Sequence, residues 1–419
     1  MAASFLKVSA VSYEGSLFGW DVIADEGEAG GLETRMTFGF HCTAGSLRVV
    51  AVSGTGKYMC CGGMDERIHV FNVQDKRAIG EVSGHTGAIT SLAFVGDSFL
   101  ISGSEDTTLC IWRVYDWQCL HVLGGHKMGI NSVAVHPSGK LALSTSKDNT
   151  LKTWNLVHGR CGFTRRLRGP ADKVLWHHGG EHYLLVVGSE LQLYNVADNN
   201  ACAASFSFGS RINQAVFTQP EAAGVRDGIF IAVVCENKFF HVVSASGEKL
   251  TGDGVDLTSV LDGGRPRDMW SCRPAVVGGD EMQEIMRDEG DAISIVTSDG
   301  LLTILSCRAL CHVATSQDSG EDSDLAHSVL SSIQTTAQPR FTAVCAWASS
   351  PPRHESDGSF TEKKKSKKQL KKEREREREG ERETEGAKKR VRFQEEEVPK
   401  GKEGGKLAKK KGKDSIGPG

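Results

Sequence analysis

Proline is scarce in this chain, 10 in 419 residues, whereas glycine reaches 48. The punctuation therefore falls to glycine turns, which suits many short strands joined tightly. No apolar run approaches the ~20 residues that a membrane-spanning helix needs. The start, "MAASFLK", lacks a basic region followed by a long apolar stretch, so no secretory signal is expected. The 12 cysteines include no C-x-x-C pair, and Cys307 and Cys311 have no second pair at zinc-like spacing. Reduced thiols, buried in strands as small apolar side chains, are the expected state, in cytosol or nucleus. Paired carboxylates, a nucleophile elbow and a zinc motif are also missing, and with them the usual signatures of an enzyme. Long helical periodicity is absent before residue 350. What remains, 39% hydrophobic and 25% charged, is ordinary globular composition.

A period of about forty residues is present instead. "LRVVAVSGTGKYMCCGGMDERIHVFNV" (Leu47 to Val73), "GHTGAITSLAFVGDSFLISGSEDTTLCIWRV" (Gly84 to Val114) and "GHKMGINSVAVHPSGKLALSTSKDNTLKTWNL" (Gly125 to Leu156) share one plan. Each has a strand, a glycine turn, a second strand, an Asp-bearing turn and a third strand ending in an aromatic. Phe71, Trp112 and Trp154 are 41 and 42 residues apart, and Tyr194 takes the same slot 40 residues on. Looser copies run from Ile212 to Val243 and from Arg267 to Cys307. Period-two stretches such as "AISIVTS" read as strands. A connecting segment, such as "GRCGFTRRLRG", supplies a fourth strand. One such unit buries little alone and must stack on its neighbours.

His126, Ser144 and Asp148 invite a hydrolase reading. Their near-copies His85, Ser102 and Asp106 argue against it: Asp follows Ser by four residues in both, and Trp follows Asp by six. A reaction centre is needed once, and duplication points to architecture. Gly-His and Trp at these offsets in a forty-residue repeat resemble the WD40 family from Phe5 to about Ala348. That resemblance implies a buried structural network at His85, Ser102, Asp106 and Trp112, and again at His126, Ser144, Asp148 and Trp154. No repeat ends in Trp-Asp; the dipeptides are Phe-Asn, Trp-Arg, Trp-Asn and Tyr-Asn. "SGTGK" at Ser53 to Lys57 is read as a tight turn, because Tyr58 stands where a phosphate loop needs Ser or Thr and a strand follows. His177, His178 and His182 are read as solvated turn residues rather than metal ligands. No catalytic, cofactor or metal residue is expected.

The fold expected is all-β: a seven-bladed WD40 propeller over residues 1–348. Blades are expected at 41–82, 83–123, 124–168, 169–209, 210–252 and 264–316. "FLKVSAVSY", "SLFGWDV" and "TRMTFGF" make three strands of a further blade over 5–40. "RFTAVCAW", within 340–348, supplies its missing first strand. Sharing one blade between both ends closes the ring and leaves no open edge. Such a propeller is expected to be monomeric and to have no membrane partner.

Residues 349–419 differ in kind and are expected to be a disordered tail. From 351 onward there are about 23 Lys/Arg against about 15 Asp/Glu, so the tail is near +8 and the rest near -11. Lys363, Lys364, Lys365, Lys367, Lys368, Lys371, Lys372, Lys388, Lys389, Arg390, Lys409, Lys410 and Lys411 form clusters that suit a nuclear or nucleolar address and phosphate contact with rRNA. Within them "KKRVRF" is similar to the RVxF docking motif of protein phosphatase one, through Arg390, Val391 and Phe393; the same residues also suit a nuclear-import cluster. The acidic, serine-rich insertion "SQDSGEDSDLAHS" offers Ser319 and Ser323 to phosphorylation.

"SYEGSLFGWDV", "HPSGKLALSTSKDNTLKTWNLVHGR", "RFTAVCAW" and the lysine-rich tail together resemble the PAK-interacting protein family of WD40 proteins. The resemblance implies a nucleolar, non-enzymatic scaffold for large ribosomal subunit assembly and pre-rRNA processing, with pre-ribosomal proteins as partners. It also implies a link to p21-activated-type kinases. The alternative is a signalling adaptor that inhibits such a kinase or targets a phosphatase. A ubiquitin-ligase receptor usually carries Trp-Asp-x-Arg at a blade end, which "WRVYD" at Trp112 does not supply.

Overall fold

The computed structural model describes residues 4–24, 32–197, 201–218, 228–261, 264–272, 291–315, 328–335 and 338–348. Those residues form seven four-stranded antiparallel sheets. We number them as blades. Blade 1 is Phe341–Ala348, Ser4–Ser12, Ser16–Ala24 and Leu32–His41, in that order from the inside outward. Blades 2 to 7 span 47–83, 89–123, 130–166, 173–207, 212–256 and 266–334.

Seven apolar cores lie between the sheets, each drawn from two adjacent blades. Ile101, Leu109 and Ile111 of blade 3 meet Ile130, Val133 and Trp154 of blade 4. Val296, Leu302 and Ile304 of blade 7 meet Leu6, Val8 and Trp20 of blade 1. An open row of seven sheets would have six such interfaces. The seventh, between blades 7 and 1, makes the array a closed propeller. Closure is direct in the backbone too: Val8 pairs with Ala346, Ser9 with Cys345 and Ala10 with Val344. Thr342 then donates its hydroxyl to the Leu47 carbonyl of blade 2 at 2.7 Å.

The aromatic slot has a backbone counterpart. Trp20, Phe71, Trp112, Trp154 and Tyr194 each sit where the pairing of the third and fourth strands slips by one residue, and Leu305 does the same in blade 7. The bulge bends the strand and sharpens its twist. This register corrects one expectation. Trp20-Asp21 of blade 1 lies in the slot, so one repeat does end in Trp-Asp. Ile23 follows two residues after Asp21, so the correction does not supply Trp-Asp-x-Arg.

Two outer strands fall beyond the expected limits. In blade 6 the fourth strand is only Val255–Asp256, past residue 252. In blade 7 it is Val329–Gln334, past residue 316. Between the third and fourth strands of blade 7 runs a short helix, α1, Cys307–Thr315. Its Cys307, Leu310 and Cys311 pack with Val255, Leu257 and Leu261. The helix thus covers apolar surface that a two-residue strand cannot. The turn Ser53–Lys57 joins two strands as expected: Gly56 is at φ +70° and donates to the Ser53 carbonyl at 2.8 Å. A side chain there would also meet the Trp347 indole of the closing strand.

Candidate functional site

In each sheet the loop entering the inner strand and the turn between the second and third strands lie at the same end. Antiparallel order requires this. His85 is on the first kind of loop and Asp106 on the second, so the fold brings them together although 21 residues separate them. His85 Nδ1 lies 2.8 Å from Asp106 Oδ2, and Nε2 lies 2.7 Å from Ser102 Oγ. Trp112 Nε1 donates to the same Oγ at 2.7 Å. Blade 4 repeats the set with His126, Asp148, Ser144 and Trp154 at 3.0, 2.7 and 2.8 Å. A neutral imidazole satisfies every atom: Trp N–H to serine oxygen, serine O–H to Nε2, and Nδ1–H to the carboxylate.

Asp148 carries more than the imidazole. It accepts the Lys127 amide at 2.9 Å and the Thr150 hydroxyl at 2.6 Å. Burial alone would raise its pKa, but Thr150, the Lys127 amide and His126 outweigh it and hold the carboxyl at about 2. Burial lowers the pKa of His126, against the pull of Asp148. The charge is thus fixed on the carboxylate and kept off the ring.

The Asp–His–Ser connectivity is that of a hydrolase triad. Access differs. Ser102 and Ser144 are 0% exposed, and each Oγ is capped by an indole N–H. A nucleophile must reach a scissile carbonyl, and these hydroxyls face a tryptophan. Each set joins the entering loop, the second strand, the following turn and the third strand of one blade by hydrogen bonds.

Blade 2 modifies the pattern. Cys61, buried, stands where Ser102 does, ten residues before the aromatic. His69, from the third strand, reaches Asp65 at 2.6 Å. His177 packs against His178 with centroids 3.9 Å apart. Burial, then the neighbouring rings of His178 and His182, pushes its pKa to about 4. Among the described residues no group of three or more His, Cys, Asp or Glu is arranged to hold a metal.

The same face carries a series of ion pairs that bridge blades. Arg48 of blade 2 meets Glu105 of blade 3 at 3.1 Å, and Lys147 of blade 4 meets the same carboxylate at 3.3 Å. Asp172 pairs with Arg211 and Glu236 with Arg265, and within blade 1 Glu14 pairs with Arg340. The Arg340 guanidinium also lies 4.2 Å from the Tyr13 ring centroid. Being exposed, such pairs add little stability singly; they give the loops a fixed geometry and a charge pattern that a partner can read.

Inside the ring, the inner strands enclose a channel of about 410 Å³. Asp268, which the sequence does not single out, is buried in its wall. It accepts Gln214 Nε2 on one oxygen and the Val344 amide on the other at 2.9 Å. Its pKa is raised by burial, despite Lys173, Val344 and Gln214. It therefore ties blades 6, 7 and 1 together at the closure.

The tail residues expected to contact nucleic acid, from Lys363 to Lys411, lie outside the described residues. So do Arg390, Val391 and Phe393, and Ser319 and Ser323. No helix among the described residues is long and apolar enough to cross a membrane.

These features define the class: a seven-bladed β-propeller that carries WD40 repeats, a fold that generally serves as a non-enzymatic scaffold. The family model "WD domain, G-beta repeat" matches residues 76–113 and 117–155. Each match begins near the outer strand of one blade and ends with the third strand of the next, so the sequence repeat is offset from the blade. The chain is similar to p21-activated protein kinase-interacting protein 1-like of Gallus gallus, 36% identical over 58% of this chain and 62% of the relative. It is similar to the protein of the same name from Danio rerio, 35% identical over 50% and 55%. Protein MAK11 of Saccharomyces cerevisiae is 31% identical over 31% of this chain and 35% of its own. The matches span just over half the length of the first two relatives.

Proposed function

We propose that this chain is a non-enzymatic scaffold in large ribosomal subunit assembly and pre-rRNA processing, acting in the nucleus and nucleolus. The observation that carries the reading is the pairing of a closed WD40 ring with a segment of opposite charge. Residues before 351 are near -11 and the rest near +8. The acidic ring offers fixed loops to basic ribosomal proteins, and the lysine clusters offer electrostatic contact to rRNA. Similarity to the PAK-interacting proteins and to MAK11 supports the same reading.

A second reading has its own support. The relatives from Gallus gallus and Danio rerio are named for interaction with a p21-activated protein kinase. On that reading the inter-blade ion-pair face docks the kinase. Arg390, Val391 and Phe393 would dock a phosphatase instead: a 385–397 peptide binds protein phosphatase one, and the Val391→Ala/Phe393→Ala peptide does not. Equal binding by the two peptides ends that part.

Location separates the two readings. The scaffold reading expects nucleolar signal that is lost when lysines between 363 and 413 are replaced by glutamine. Diffuse cytoplasmic signal from the intact chain favours the adaptor.

A further inference from the structure

The acidic average of the propeller conceals a basic sector. Between Asp116 and Asp172 the only carboxylate is Asp148, against eight lysines and arginines. Asp148 is committed to the blade 4 network. Blade 4 is therefore a cationic island in an anionic ring.

The charge is concentrated on the outer strand, Arg160–Arg166, and just beyond it. Arg160, Arg166 and Arg168 are exposed. None of the three makes an ion pair among the described residues. Elsewhere Arg48, Arg67, Arg113, Arg211, Arg265 and Arg340 close onto carboxylates, and the exposed Arg35, Arg77 and Arg267, which make no ion pair among the described residues, stand singly rather than in a cluster. Arg165 lies over the Tyr194 ring at 4.5 Å, and Lys152 Nζ donates to Thr164 Oγ1 at 2.9 Å, which brings a fourth and fifth cation to the strand. Phe163, 57% exposed, shares a face of the sheet with Arg160 and Arg165, and Arg166 and Lys152 lie on the other.

This strand is also the free edge of its sheet, so its outward N–H groups have no ladder partner. From Arg160 to Arg166 it runs about 20 Å at ~3.3 Å per residue, room for several successive phosphates. Arginine matches phosphate with two parallel N–H donors, and an exposed aromatic between cations gives a base a surface to stack on.

We propose that the outer rim of blade 4 binds single-stranded RNA, with Arg160, Arg166 and Arg168 on the phosphates and Phe163 against a base. The choice of RNA over an acidic peptide rests on the ribosome-assembly reading. The contact is separate from the tail clusters and places RNA on the ring itself.

The test uses the full chain in a background whose tail lysines at 363–372 and 409–411 are glutamine. Binding of a mixed-sequence 20-nucleotide RNA is measured across salt. It compares the parent with Arg160→Gln/Arg166→Gln/Arg168→Gln, with the corresponding triple Lys variant, and with Phe163→Ala. The Gln triple is expected to weaken binding at least tenfold and to make the log–log salt slope less negative by about 2, at ~0.7 per phosphate contact. The Lys triple keeps the slope, and Phe163→Ala weakens binding without changing it. A matching thermal midpoint shows that the Gln triple is folded; if it is not, the single Arg166→Glu variant takes its place. Unchanged affinity and slope overturn the proposal, as does loss of polyglutamate binding with RNA binding intact. The assay uses purified components, so it fails independently of the ribosome-assembly reading, which depletion in cells tests.

Discussion

The hydroxyl oxygen of Ser144 lies 2.7 Å from Nε2 of His126 and 2.8 Å from Nε1 of Trp154, and Ser102 holds the equivalent place one blade earlier. One oxygen thus accepts an indole proton and gives its own to an imidazole. Ser144→Ala leaves both rings with an unsatisfied buried atom. The expected cost is about 2 kcal/mol in urea unfolding. An acyl-phosphonate probe of serine hydrolases is expected to label neither serine; labelling of either contradicts the sealed network.

Asp148→Ala removes the acceptor of His126, the Lys127 amide and Thr150 together. We expect a loss of about 3 kcal/mol, the larger of the two because a buried network loses its only charge. Asp75→Ala, in the exposed third-to-fourth turn of blade 2, serves as the comparison and is expected to change stability by under about 0.5 kcal/mol. Equal effects at the two sites contradict the fastening role.

Acid should destabilise the propeller in two stages. His126, His177 and His241 have folded pKa values below the usual 6.5, His177 and His241 at about 4. Below pH 6.5 the unfolded chain takes up protons that the folded rings refuse, so stability falls as pH drops from 6.5 toward 4. Asp148, folded at about 2 against the ordinary 3.8, adds stability above pH 3.8 that is lost as pH falls toward 2. Asp268 has the opposite sign: its raised pKa favours the fold in acid, and that contribution fades as pH rises. His241 is packed against Phe208, and burial is the main cause of its shift. His241→Phe should flatten the thermal midpoint between pH 6.5 and 4. An unaltered slope contradicts the assignment.

Ending the chain before Phe341 removes the inner strand of blade 1. Val8 and Ala10 lose their partners, Asp268 loses the Val344 amide, and an unpaired edge opens. The shortened chain is expected to elute as aggregate in gel filtration. A monomer with an unchanged thermal midpoint contradicts closure by the shared blade.

The repeat was legible because the constraint is local. The aromatic slot, the serine ten residues before it and the aspartate six before it serve one turn and one bulge, so they recur at fixed offsets. Pairing of the chain ends was legible from the same logic, since three strands at one end and one at the other fill a blade. Trp20-Asp21 is harder to read, because Ala10 and Glu14 stand at the offsets where blade 4 has Ser144 and Asp148. The outer strand of blade 7 lies beyond a helix and an insertion, where no spacing rule reaches. The cations of the blade 4 rim are contiguous in sequence, from Arg160 to Arg168, and only their place on a free edge needs the fold to be seen. Asp268 meets Gln214 of blade 6 and Val344 of blade 1. Only the folded ring brings those groups together.

The scaffold reading is tested most directly by depleting the protein and resolving ribosomal particles on a sucrose gradient, with rRNA precursors measured in parallel. The account predicts fewer free large subunits and accumulation of large-subunit rRNA precursors, restored by the intact chain. An unchanged profile with normal precursor levels after full depletion would contradict it.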